Sequence, residues 1–358
     1  MKKVILPFLA IVLSAFFANA GTIYVTDTIK SNTTWTSSNI YMLEGFVFVK
    51  TGYTLTIEPG TIVKGDTGKA TLIVQRGAKI MAQGTATKPI VFTSGKPKGQ
   101  RVRGDWGGIV LLGASQVNDY TIGTSGDTIW PAVEGFPPSI KEPIRFGGHK
   151  LDDNSGVLSY VRIEYAGVAY SQDNEINGLT FGGVGSGTTI DHVQVSFSND
   201  DSYEWFGGTV NCKYMIAWAG TDDNWDTDDS YSGKVQFFLG KRHPKFWDVS
   251  AKGASNGCEA DNITDFYSTR PFGRPFSMSR FSNVTDIGPW YGDTSTDLSS
   301  THFNSGMLIR RNSRLSAFNS LITGWKNAIE ITGGNTANAL LSDSSTIKNV
   351  FYAGYKKQ

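Results

Sequence analysis

From Phe46 onward the chain is broken into short, branched apolar runs spaced roughly seven to ten residues apart, too close together to leave room for helical crossovers. Leu55-Thr56-Ile57, Ile62-Val63, Leu72-Ile73-Val74, Ile80-Met81-Ala82 and Ile90-Val91-Phe92 follow one another, each favourable to a β-strand. Pro59-Gly60, Gly65-Asp66, Arg76-Gly77 and Gly84 punctuate them as turns. Three such strands make a circuit of about 20–25 residues, which is one rung of a parallel β-helix. The rhythm resumes at Ile109–Leu112, Leu158–Ile163, Ile190–Val195 and Val235–Leu239, then at Gly306–Ile309, Leu321-Ile322 and Ala328–Ile331. The expected fold class is therefore all-β, a single solenoid over residues 47–358, with residues 21–46 as its N-terminal cap. Two stretches interrupt it. Gln116–Asn154, with Pro131, Pro137, Pro138 and Pro143, and Arg270–Thr301, with Pro271, Pro275 and Pro289, read as long excursions that carry function or shield a surface.

Residues 1–20 form a separate unit. Lys2 and Lys3 precede an apolar run from Val4 to Ala18, and Ala18-Asn19-Ala20 supplies small residues at a cleavage position. That is the pattern of a secretory signal, so the protein is expected to be exported to the periplasm, cell surface or medium. The run is interrupted by Pro7 and Ser14 and is short for a membrane anchor, which needs about 20 apolar residues. Removing Lys2 and Lys3 from 33 bases leaves 31 against 32 acids, without the basic excess that nucleic-acid binding requires. Cys212 and Cys258 are the only cysteines; in an exported chain they are candidates for one disulfide, with two buried thiols as the alternative.

One phrase recurs on an acidic background. Asp200-Asp201-Ser202-Tyr203-Glu204 returns 22 residues later as Asp222-Asp223-Asn224-Trp225-Asp226, and again in part as Asn256-Gly257-Cys258-Glu259. Ile329-Glu330-Ile331-Thr332-Gly333-Gly334 echoes Tyr203–Gly208. Successive strand residues alternate faces, so inward Tyr203 and Trp225 imply outward Glu204 and Asp226. Stacking at about 4.8 Å would bring these carboxylates, with Glu259 and Glu330, together on one face.

Several phrases resemble a known family. Leu55–Ile62, Gly77–Ser94, Gly104-Asp105-Trp106-Gly107-Gly108-Ile109, Val161–Gly167, Asn174–Leu179 and Asp200–Gly208 are together similar to exported β-helix proteins of Bacteroidetes and other Gram-negative bacteria. The resemblance covers residues 50–335 or so. It implies the right-handed single-stranded β-helix of pectate lyases and brings no catalytic residues, since no activity is established for the family.

The acidic repeat admits three readings. Its carboxylates cap turns; or Asp200, Asp201, Asp222, Asp223, Asp226, Asp228 and Asp229 hold Ca²⁺, which takes six to eight oxygens; or a pair of them is catalytic. Glu204, Trp205, Trp225, Asp226 and Tyr231 are candidates for a glycan platform of acids and rings, against the alternative that the rings are core. Lys241-Arg242-His243 and Arg310-Arg311 are the nearby bases, either a lyase base or solvated turns. His149, His192, His243 and His302 are scattered without zinc-ligand spacing, and Gly182–Gly187 and Gly65–Lys69 fit no nucleotide loop. The expected role is a non-catalytic binding or structural protein with glycan as the leading ligand class. A Ca²⁺-dependent polysaccharide lyase or hydrolase is the alternative, and self-assembly into a surface layer or filament is the third.

Overall fold

A computed structural model describes residues 21–140, 142–171, 174–249, 254–263, 273–290 and 302–354. The expected signal, residues 270–272 and 291–301 of the second excursion, and the last four residues lie outside them. That excursion is corrected in its middle, where Arg280–Ile287 is a regular strand of the solenoid. The chain winds as a parallel β-helix built from two sheets. A narrow sheet of nine short strands runs from Phe46–Val49 to Asn327–Ile331, and a broad sheet of 14 strands runs alongside it. All pairing within both is parallel, so each strand meets its equivalent one rung away. Residues 21–46 supply strands to the broad sheet, with Gly21–Val25 paired to Asn39–Leu43 at its end.

From Gly156–Glu164 onward each rung crosses the broad sheet in one long strand bent at a single residue. Those residues stack as Tyr160, His192, Tyr214, Phe237, Asn283, Asn319 and Asn349, all left-handed with φ between 49° and 61°. Asparagine tolerates this conformation best, and the amides form a ladder in which Asn349 donates to Asn319 at 3.1 Å. Where the ladder is aromatic, ring stacking substitutes: Tyr160–His192, His192–Tyr214 and Tyr214–Phe237 centroids lie 4.2, 4.5 and 5.0 Å apart.

Inward residues fill the solenoid. Phe181 stacks on Trp205 at 5.1 Å, Trp205 on Tyr231 at 5.4 Å, and Trp225 on Phe281 at 5.3 Å. Tyr203 carries its hydroxyl to the broad sheet, where it sits 2.8 Å from the carbonyls of Val193 and Ile216 and accepts the Val195 amide at 3.1 Å. Trp205, Trp225 and Tyr231 are wholly buried. They are core, and the glycan platform that the sequence offered for these three rings is not formed: Trp205 shares strand parity with Tyr203 and so faces the same interior. The cysteines are also corrected. Both are buried free thiols, Cys212 on the broad sheet and Cys258 on the narrow sheet two rungs on, and the Cys258 thiol donates to the Glu259 carbonyl at 3.4 Å.

The first excursion folds back over the outer face of the narrow sheet. Val117, Val133, Phe136, Ile144 and Phe146 build a second apolar core there with Ile73, Val110 and Leu112. The Phe146 ring fills the space that a side chain at Gly182 would take, and lies 6.0 Å from Phe206. At its acidic end this cover brings Glu134 close to Glu204 and packs on Phe206 of the same strand.

Candidate functional site

Read along the solenoid axis, one outward column of the narrow sheet is Phe48, Ile73, Val110, Thr180, Glu204, Asp226, Glu259, Leu308, Glu330. The apolar part lies under the excursion, and three carboxylates follow on consecutive rungs. Glu330 is not contiguous with them. Leu308 intervenes, and Glu330 accepts hydrogen bonds from Asn304 and Ser305, each at 2.8 Å.

The turn that feeds each of these strands adds Asp200, Asp201, Asp222 and Asp223. Carboxylate oxygens of Asp200, Asp201 and Asp222 approach one another within 4.8 Å, as do those of Asp201, Glu204 and Asp226, so Asp201 belongs to both groups. Asp201 and Glu204 are buried; Asp200, Asp222 and Asp226 are half-buried. Burial first, and the neighbouring carboxylates second, hold the carboxyls of Asp200, Asp201, Glu204 and Asp226 well above the usual range. Asp222 is pushed up to about 6 by burial and by Asp248. Glu134 of the excursion and Glu175 add to the negative field over Asp200.

The acids divide by partner. Asp223 is a cap, as one of the three readings has it: it accepts the amide of Asn256, while its own N–H donates to Asp201 at 2.7 Å. Asp228 accepts the N–H of Asp229 at 2.7 Å. Glu259 and Asp261 have arginines: Arg310 donates to Asp261 through Nε at 2.8 Å and also reaches Glu259, and Arg311 donates to Asp261 at 2.6 Å. Arg242 is neither a solvated turn nor an accessible base. It is wholly buried, donates to the carbonyls of Gly220 at 2.8 Å and Asn256 at 2.6 Å, and balances Asp222, Asp223 and Asp286 from below. At the centre, Glu204 accepts one bond from Asn177, and Asp226 Oδ1 is buried without a hydrogen-bond partner among the described residues. Asp229 stands apart from both groups, toward the excursion, where its carbonyl accepts from Asn118 at 3.2 Å.

This centre fits a hard divalent cation. Its donors are all oxygens, they converge, and Asp226 Oδ1 has no hydrogen-bond partner among the described residues. Asp200, Asp201, Glu204, Asp222 and Asp226 would hold it. Beside the centre lies a cleft of about 580 Å³ lined by Asn199 and Thr221 with Arg101, Arg103, Tyr165, Lys245, Phe246, Trp247 and the carboxylate of Asp248. Arg103 forms one wall, with Phe246 at 3.6 Å and Phe197 at 5.4 Å from its guanidinium carbon, and donates to the Ala219 carbonyl. Sequence reasoning missed this wall. Its only local signal is the Phe246-Trp247 pair directly after the basic run; Arg103 and Tyr165 arrive from distant rungs.

Comparison with known proteins agrees with this architecture. A family model described as a pectate-lyase like beta helix domain matches residues 27–358, and the chain belongs to that family. No curated protein matches the sequence. Two solved structures are similar: the Dettilon tailspike protein, at 12% identity and TM-score 0.28, covering 84% of this chain and 62% of that one; and the A-module of the Azotobacter vinelandii mannuronan C-5 epimerase AlgE6, at 11% identity and TM-score 0.26, covering 95% and 92%. The chain thus spans less than two thirds of the tailspike. Among the described residues no helix is long and apolar enough to cross a membrane.

Proposed function

We propose that the protein is an exported β-helix module that binds glycan beside a Ca²⁺ ion held in the acidic crevice, without turning the glycan over. The observation that carries this reading is Asp201, shared between two converging carboxylate groups, which hold more carboxylates than the buried Arg242 beside Asp201 and Asp222, and Arg310 near Asp226, can balance. Ionised together, these groups repel, so the native fold gains from a bound cation. The adjoining cleft supports the glycan half of the reading: aromatic surface suits the apolar faces of sugar rings, and Arg101, Arg103 and Lys245 suit carboxylates. The family's pectate-lyase-like description makes acidic polysaccharide the first class to test.

The test is thermal unfolding of residues 21–358 in EDTA, with Ca²⁺ titrated back, followed by calorimetric titration of polyuronates with and without the ion. Cation-dependent stabilisation and saturable glycan binding without product release support the reading. Release of unsaturated or reducing-end products, lost in Asp226→Asn, would replace it with the lyase or hydrolase. No response to Ca²⁺ would overturn the metal site.

A further inference from the structure

A second polar pocket lies at the opposite turn of the rungs, near the C-terminal end of the solenoid. Three successive turns build its wall: Arg274 and Phe276 from one, Asn312 and Arg314 from the next, and Asn335, Asn338 and Ser342 from the helix Gly334–Leu341 and its end. The space it offers, open to solvent, is about 290 Å³. Phe276 holds both arginines in place, with guanidinium carbons 3.5 Å (Arg314) and 5.1 Å (Arg274) from its ring centroid. The backbone behind them is fixed, since Arg314 N–H donates to Ser277 at 2.8 Å and Asn312 N–H to Thr336 Oγ1 at 2.9 Å.

Among the described residues the charges here are unbalanced. No carboxylate among the described residues forms an ion pair with Arg274 or Arg314, whereas Arg310 and Arg311, a few residues away, are fully engaged with Glu259 and Asp261. Arg314 Nε is buried without a hydrogen-bond partner. Two like charges gathered on one ring, with an unused donor and amide side chains around the opening, lack only an acceptor that carries negative charge. Burial and the proximity of Arg274 both make the Arg314 cation less favourable, a cost that an anion would offset.

We infer that this pocket is an anion site for a tetrahedral oxyanion, a sulfate or phosphate group, gripped by Arg274 and Arg314 and ringed by Asn312, Asn335 and Asn338. Two planar guanidiniums present several N–H donors in the geometry such a group accepts bidentately, and its double charge matches both. The group arrives either as a free ion or as an ester on a polymer. The site lies on a different turn from the acidic crevice and does not depend on the cation there.

The test is isothermal titration of the full chain in EDTA with sodium sulfate and with sodium phosphate, at ionic strength held constant with sodium chloride. Calorimetry is preferred to melting because sulfate stabilises folded proteins generally by exclusion from their surface. Saturable binding that weakens at least about tenfold in Arg314→Gln, and in the exposed Arg274→Gln, is expected, a loss of about 1.4 kcal/mol or more. Dextran sulfate against dextran then separates the sources. Tighter binding of the sulfated polymer than of sulfate assigns an ester ligand, and binding of sulfate alone assigns a free ion. Absence of saturable binding, or equal binding by wild type and Arg274→Gln with unchanged circular dichroism, overturns the site.

Discussion

Replacing Asp201 by Asn separates the two things its carboxylate does. In the crevice Asp201 lies within 4.8 Å of acidic oxygens in both carboxylate groups. At an effective dielectric of about 20, two ionised carboxylates at that distance repel by about 3 kcal/mol. The folded protein relieves part of this by protonation, which is why burial and Asp222 hold the Asp201 carboxyl far above its ordinary range. Asn keeps the oxygen that accepts the Asp223 N–H at 2.7 Å, so the turn is preserved while the charge is removed. In EDTA at about pH 8 the variant is therefore expected to be more stable than wild type by about 1–3 kcal/mol. Calcium works against this order. At a hundredfold excess over its dissociation constant it adds about 2.7 kcal/mol to wild type and little to Asp201→Asn. At roughly 2 °C per kcal/mol for a chain of this length, the wild-type midpoint rises by about 5 °C. Scanning calorimetry of both proteins in both buffers is the assay. An Asp201→Asn protein that melts below wild type in EDTA would show the carboxylate to be a structural acceptor, and one that keeps the full Ca²⁺ response would remove it from the metal site.

Acidity should act on the same charges. Asp222 moves from 3.8 unfolded to about 6 folded, and Glu259 from 4.5 to about 7, so the folded state binds more protons across that window. Stability in EDTA is then greatest at the acid side and falls as pH rises from about 4 to about 7, with a shallower fall in Ca²⁺; a midpoint that rises with pH over this range in EDTA contradicts the sign. Arg310→Met leaves Glu259 and the buried Asp261 without their main partner and is expected to cost about 3–5 kcal/mol by urea unfolding, against less than about 1 kcal/mol if the pair acts as a surface bridge. Tyr203→Phe strands the Val195 amide inside the solenoid and should cost about 1–3 kcal/mol without altering the Ca²⁺ response. Cys212 and Cys258 are expected to react with a thiol reagent only after denaturation, giving two thiols without reductant; none in denaturant would mean a disulfide.

The solenoid was legible because its signals are local: each strand is a few β-favourable residues and each turn carries its own Gly, Pro or Asn. The acidic column was legible for a related reason. A repeat of one rung places Glu204 over Asp226 once both strands pair in parallel, and that pairing is observed. What the sequence hides is compensation. Arg242 reaches Gly220 and Asn256, and Arg310 reaches Glu259 and Asp261 about 50 residues back, contacts that no spacing announces. Parity already placed Trp205 inside with Tyr203, but Tyr231 follows the strand Trp225–Asp228 in a turn, where alternation says nothing. The bend ladder is concealed by its own composition. Asn283, Asn319 and Asn349 advertise a left-handed position, whereas Tyr160, His192, Tyr214 and Phe237 occupy the same position and read as ordinary strand residues.

The division of labour between the two faces of the narrow sheet explains how this fold accommodates an acidic crevice. Stability comes from the inward stacks, in which Phe181, Trp205, Tyr231, Trp225 and Phe281 pack across successive rungs whatever their neighbours on the outside do. The outward column is then free to change character rung by rung. It is apolar where the excursion covers it, acidic for Glu204, Asp226 and Glu259, and apolar again at Leu308. Carboxylates that served only to cap turns would each have a backbone amide of their own, as Asp223 has from Asn256. Glu204 and Asp226 have none among the described bonds, and they occur on adjacent rungs where stacking forces them together. Repulsion of this kind, beside a cleft of aromatic and charged side chains on a scaffold whose packing does not need it, is the ground on which the proposed cation-dependent binding site rests.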